Sequence, residues 1–113
     1  MQTKSHYAQG DVTLVPVEKL PEGCTVAKDS PTVEYGEATG HHHTFRNGAA
    51  QVLIAPDGRK FVKVNEGGAV LEHQEHPPLQ VEEPQKAFGS NFVAYEYKPT
   101  REYRWGETLR VRD

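Results

Sequence analysis

Five of the six histidines fall in two short stretches. The first is Gly36-Glu37-Ala38-Thr39-Gly40-His41-His42-His43-Thr44 and the second is Glu72-His73-Gln74-Glu75-His76-Pro77-Pro78. The first is internal and flanked by strand-like sequence, so it is not a purification tag. In an extended segment side chains alternate, which puts His41 and His43 on one face and His42 on the other. Gly36 and Gly40 permit tight turns or close approach of a ligand to the backbone, and Thr39 and Thr44 offer hydroxyls. In the second stretch His73 and His76 are three apart, on opposite faces of a regular strand. At a strand end that turns into a loop they can still converge. Pro77 and Pro78 read as fixing such a loop, and Glu75 is placed to orient an imidazole. The plain alternative is a polar strand followed by a solvent-facing turn.

Two chemistries suit these residues. One is metal binding by His41, His43, His73 or His76 with a carboxylate from Glu37 or Glu75. The other needs no metal. Imidazole offers both a proton acceptor and a proton donor near neutral pH, so two histidines can deprotonate a 2′-hydroxyl and protonate the departing 5′-oxygen of RNA. That leads with His41 and His43 as the catalytic pair, with His73 and His76 as the second. Charge on the phosphorane requires cations; Lys60, Lys63, Arg101 and Arg104 are candidates. Tyr95 or Tyr103 is available to stack a base or donate to phosphate.

Gly40-His41-His42-His43 resembles the cupin pattern, in which glycine precedes His-x-His. The glutamate expected shortly afterwards is replaced by Thr44-Phe45-Arg46-Asn47, and Phe61 stands where a histidine should follow Pro56-Asp57-Gly58. Over most of its length the chain resembles a widespread set of small bacterial and phage proteins. The resemblance is carried by Gln9-Gly10-Asp11-Val12, by Gly36-Glu37-x-Thr39-Gly40-His41-x-His43 and by His73-x-Glu75-His76-x-Pro78. Through these motifs it is also similar to small histidine-containing ring nucleases of CRISPR antiviral defence. That likeness implies metal-free cleavage of cyclic oligoadenylate, catalytic histidines in both clusters and a homodimer around a ring-shaped ligand. The segment Pro84 to Ser90 departs from the set, replacing a shorter glycine turn.

These side chains need a scaffold, and the sequence supports a thin one. The chain has 113 residues, 35% hydrophobic and 26% charged, the size of one domain, read as 1–113. Turn signals recur about every ten residues, between short segments rich in Val, Thr, Tyr and Phe. Asp11 to Val17, Gln51 to Ile54, Lys60 to Val64, Gly68 to His73 and Phe92 to Tyr97 read as strands. Pro56-Asp57-Gly58 joins two of them as a hairpin, and Pro99 ends the last. Glu102 to Trp105 and Thr108 to Val111 are weaker edge candidates. No dozen residues keep an apolar helical period, so the fold class is all-β: a small compact β-barrel or a two-sheet sandwich.

Composition narrows the function further. The net charge of -3 argues against a general polyanion binder. Residues 98–113 nonetheless hold five of the thirteen basic side chains: Lys98, Arg101, Arg104, Arg110 and Arg112. They are either a phosphate-facing patch or a solvated edge strand. Apolar runs of about five residues fall far short of the ~20 of a membrane helix, and Met1 to Gly10 lacks a signal-peptide core. The single cysteine, Cys24, excludes an internal disulfide and suits a cytoplasmic protein; with no adjacent His or basic residue it is not a nucleophile. Phe88, Phe92, Tyr97 and Trp105 offer more aromatic surface than a thin core absorbs, which favours a homodimer.

Overall fold

The computed structural model describes residues 6–28, 30, 32–35 and 42–99. Ten strands occur among them: β1 Tyr7–Gln9, β2 Val12–Val17, β3 Thr25–Val26, β4 Thr32–Tyr35, β5 His42–Phe45, β6 Ala50–Ile54, β7 Lys60–Val64, β8 Ala69–His73, β9 His76–Val81 and β10 Ala94–Pro99. One short helix, α1 Pro84–Ala87, lies between β9 and β10. The strands pair antiparallel into a six-stranded sheet, β1-β2-β10-β7-β6-β3, and a four-stranded sheet, β4-β5-β8-β9. The all-β expectation holds, as a two-sheet sandwich rather than a closed barrel.

Alternation within the strands builds the layer between the sheets. Val12 and Leu14 of β2, Val52 of β6, Val62 of β7, Phe45 of β5, Leu71 of β8 and Val81 of β9 are all buried in one cluster. A smaller cluster of Leu53, Ala55 and Phe61 forms with Val17, Leu20 and Cys24 packed against it. The β6–β7 hairpin turns at Pro56-Asp57-Gly58 as its sequence implies, with Ile54 opposite Lys60. Gly58 takes φ +95°, which a side chain would resist.

Three local expectations change. Pro77 and Pro78 do not form a loop; they lie inside β9. β9 is at the edge of its sheet, where a missing N–H costs no ladder bond on the solvent side. Pro84 to Ala87 is helical because proline is pre-set for the first helical turn, where its absent N–H has no partner to lose. Lys98 lies on β10, which sits between β2 and β7, so it is not on an edge strand. Arg101, Arg104, Arg110, Arg112, Tyr103 and both weaker C-terminal strand candidates lie outside the described residues.

The aromatic residues largely pack inside. The Phe88 ring meets Tyr7 and Tyr95 edge-on at 5.7 and 6.0 Å, and Phe92 leans on Phe88. Tyr97 is partly buried against the main cluster. Of the four residues that argue for a dimer, only Trp105 is unaccounted for, and it lies outside the described residues. No helix among the described residues is long and apolar enough to cross a membrane.

Tyr95 is fully buried and donates its hydroxyl to the Glu82 carbonyl. Burial holds its phenol well above the ordinary range, so it stays a neutral donor. Removing that hydroxyl leaves a carbonyl short of its partner. Tyr95→Phe should therefore lower stability by about 1–2 kcal/mol, read as an earlier midpoint in urea denaturation; an unchanged midpoint would deny this bond a structural role.

Candidate functional site

The site grows from the β8–β9 hairpin. Its two-residue turn, Gln74-Glu75, sets His73 directly opposite His76. Opposite residues in an antiparallel pair share a face, which is how two histidines three apart in sequence come together. On the other side of β8, Phe45 of β5 pairs with Leu71 and Thr44 with Glu72. One step further along that register, His43 comes beside His73. The rings confirm it: centroids are 4.3 Å apart for His43–His73, 4.7 Å for His73–His76 and 6.2 Å for His43–His76. The three imidazoles form a compact triangle on the core-facing side, grading from buried His43 to exposed His76.

The six-stranded sheet supplies the cover. The register Leu71–Leu79 followed by His73–His76 shifts by one residue, and Pro77 and Pro78, the extra length on β9, have no N–H to give to β8. At this bulge the carbonyls of Leu71 and Pro77 both accept from Gln9 Nε2, each at 2.9 Å. The amide nitrogen is thereby committed, so Gln9 Oε1 must face the other way, and it lies 2.8 Å from His43 Nδ1. An amide oxygen only accepts. His43 Nδ1 therefore carries the proton, and Nε2 holds the lone pair. His73 is fixed in the opposite sense. Its Nδ1 accepts the backbone N–H of Glu75 at 3.0 Å, so the proton of the neutral ring sits on Nε2.

Gly10, in the β1–β2 turn, presses on this triangle. Its φ is +57°, and a Cβ there would stand 2.7 Å from His76 Nε2 and 3.3 Å from His43 Cε1. Glycine is required both by the backbone and by the rings. His43 titrates far below its usual range, at about 4, chiefly because burial penalises its charged form and then because His73 and His76 repel a charge there. His42 adds to the lowering and the Asp11 carboxylate opposes it. At neutral pH His43 is uncharged.

The residues singled out from sequence are only partly brought together. His43, His73 and His76 meet; His41 and Glu37 lie outside the described residues. His42 is on the other face, as alternation required. The main-chain N–H of Glu75 donates to His73 Nδ1. Lys63 is an exposed β7 residue opposite Gln51 and alternates out of phase with the core residues Val62 and Val64, so it points away from the layer that holds the histidines. Lys60 donates to the Val33 carbonyl. Tyr95 has no exposed surface on which a base could stack. What the motifs did not reveal is the part played by Gln9, Gly10 and Asp11. The available signal was a Gly-Asp pair between Tyr7-Ala8-Gln9 and the alternating β2 segment, a hairpin pattern.

Among the described residues no group of three His, Cys, Asp or Glu side chains is placed to hold a metal ion. The His73 bond explains part of this: a neutral ring whose Nδ1 accepts an N–H offers a proton, not a lone pair, at Nε2.

Fold and site together define an antiparallel β-sandwich with a histidine triangle where the β8–β9 turn meets the β1–β2 turn. The chain belongs to the family described as a domain of unknown function, DUF8820, whose model matches residues 8–83. The match takes in Gln9, Gly10, Asp11 and all three histidines, and stops before α1 and β10. No curated protein and no solved structure matches the chain.

Folding lowers the proton affinity of His43, so protonation favours the unfolded chain, whose histidine titrates near 6.5. The contribution is complete above about pH 6.5 and is lost as pH falls toward about 4, below which both states are charged. It amounts to on the order of 3 kcal/mol. Urea denaturation at a series of pH values should show that loss, and His43→Phe, which cannot titrate, should flatten it. An equal slope in the variant would assign the loss to other groups.

Proposed function

We propose that the protein is a phosphodiesterase that cleaves RNA or a cyclic oligonucleotide by histidine acid–base chemistry without a metal. The observation that carries this reading is the triangle itself: three imidazoles within 6.2 Å, one kept neutral by burial and another exposed to the water that a charged ring needs. A base must be uncharged before it takes a proton, and burial keeps His43 so. In this reading His43 takes the proton of a 2′-hydroxyl, and the 2′-oxygen forms a bond to phosphorus. The bond from phosphorus to the 5′-oxygen breaks, and His76 hands that oxygen a proton. The products are a 2′,3′-cyclic phosphate and a 5′-hydroxyl. The Nε2–H of His73, between the two, donates to a non-bridging oxygen. An arriving phosphate anion raises the proton affinity of His43, as an opposite charge does, and so improves it as a base.

Cyclic oligoadenylate is the substrate the motif resemblance favours, with Arg101 and Arg104 as further phosphate contacts and a homodimer enclosing the ring. Incubation with cyclic oligoadenylates and short RNAs in excess EDTA, followed by mass analysis, tests the reading. Turnover to 2′,3′-cyclic phosphates is expected, and replacing His43 or His76 by Ala should slow it by roughly 10²–10⁴-fold. No turnover of any of these substrates would end the proposal. Light scattering coupled to size exclusion tests the dimer.

One observation favours a second reading. A metal-bound histidine usually gives its other ring N–H to a carbonyl-type acceptor, and His43 does this with Gln9. Near-stoichiometric metal in untagged protein, lost in the His43→Ala, His76→Ala double variant, would replace acid–base catalysis with a metal-binding role.

A further inference from the structure

We infer that Gln9 is the positioning residue of this site: by committing its amide nitrogen to two carbonyls it forces His43 into the Nδ1–H form, which makes Nε2 the proton-accepting atom and assigns His43 the base and His76 the acid. The inference rests on the acid–base reading and supplies the physical cause of the direction that reading assigns.

The argument is one of exclusion. Gln9 is 5% exposed, so its amide cannot turn to water for compensation. Flipping it would set two N–H groups against His43 Nδ1 and an oxygen against the carbonyls of Leu71 and Pro77. That loses two hydrogen bonds at 2.9 Å and creates two repulsive oxygen contacts, in a site where unpaired polar groups are costly. The His43 tautomer is therefore inherited from the bulge in β9. Asp11 follows Gln9 by two residues, and its charge favours a proton on His43; this helps a base that must hold a proton mid-reaction. His76 makes no comparable bond to Gln9, and it stands at the exposed rim.

Two measurements decide it. In long-range proton–nitrogen NMR spectra of the intact protein at neutral pH, His43 should show a protonated Nδ1 and a bare Nε2. The reverse pattern would overturn the inference. This readout needs no turnover, so it fails or succeeds separately from the phosphodiesterase reading. The second measurement is Gln9→Glu, which puts a carboxylate against the same N–H. An opposite charge at this range shifts a pKa by roughly 1–3 units, so the NMR titration midpoint of His43 should rise by that amount. Where turnover is present, the acidic limb of the kcat profile should move with it while KM changes little. An unmoved midpoint in the folded variant would overturn the inference. If Gln9→Glu does not fold, the wild-type spectrum alone decides.

Discussion

The site depends on one buried primary amide. The Gln9 side chain comes from β1, at the edge of the six-stranded sheet, yet its partners are Leu71 on β8, Pro77 on β9 and His43 on β5. A single side chain thus ties one sheet to three strands of the other. Its four hydrogen-bonding positions are two donors and the lone pairs of one oxygen, and its three bonds use both donors and the oxygen. Such a group strengthens a structure when all its partners are present and weakens it when one is missing. The prolines of β9 make the arrangement possible. Neither proline has an N–H to offer at the bulge, and the Gln9 amide meets the Leu71 and Pro77 carbonyls there.

The fold was legible where alternation and turn chemistry agreed. Val12 and Leu14, the Pro56-Asp57-Gly58 hairpin and the β8 and β10 segments all follow from period-two patterning between turn residues. The error came from reading Pro77-Pro78 as punctuation. The pair lies in an edge strand, where its missing donors are tolerated, and that cannot be known before the position of the strand in the sheet is known.

The site was legible in its histidines and opaque in its supports. His43, His73 and His76 could be named because their residue type carries the chemistry. Their convergence could only be left open, since a three-residue spacing puts His73 and His76 together only if the intervening pair makes a tight turn. Gln9 offered no chemical signal of its own; its significance lies in partners 34 to 68 residues away in sequence. Tyr95 is the opposite case. An aromatic hydroxyl suggests a ligand contact, but the same side chain is the largest fully buried one among the described residues, where apolar area decides its place.

The geometry of the triangle limits how many protons it holds. Two unit charges 4.3 Å apart repel by about 4 kcal/mol at an effective dielectric constant of about 20. Charging His43 and His73 together is therefore unfavourable by nearly three powers of ten in the binding of the second proton. Tautomers add to this limit, because a protonated His73 would lose the N–H that Glu75 donates to Nδ1. A charge on His43 is thus opposed by its two neighbours as well as by burial. An anion seated against the rings relieves this opposition, since its attraction offsets the repulsion between imidazoles. Proton uptake and anion binding then become linked: each makes the other more favourable, by the same factor. In the proposed reaction, a phosphate arriving at the triangle would therefore give His43, its base, a proton affinity that burial and its neighbours otherwise withhold.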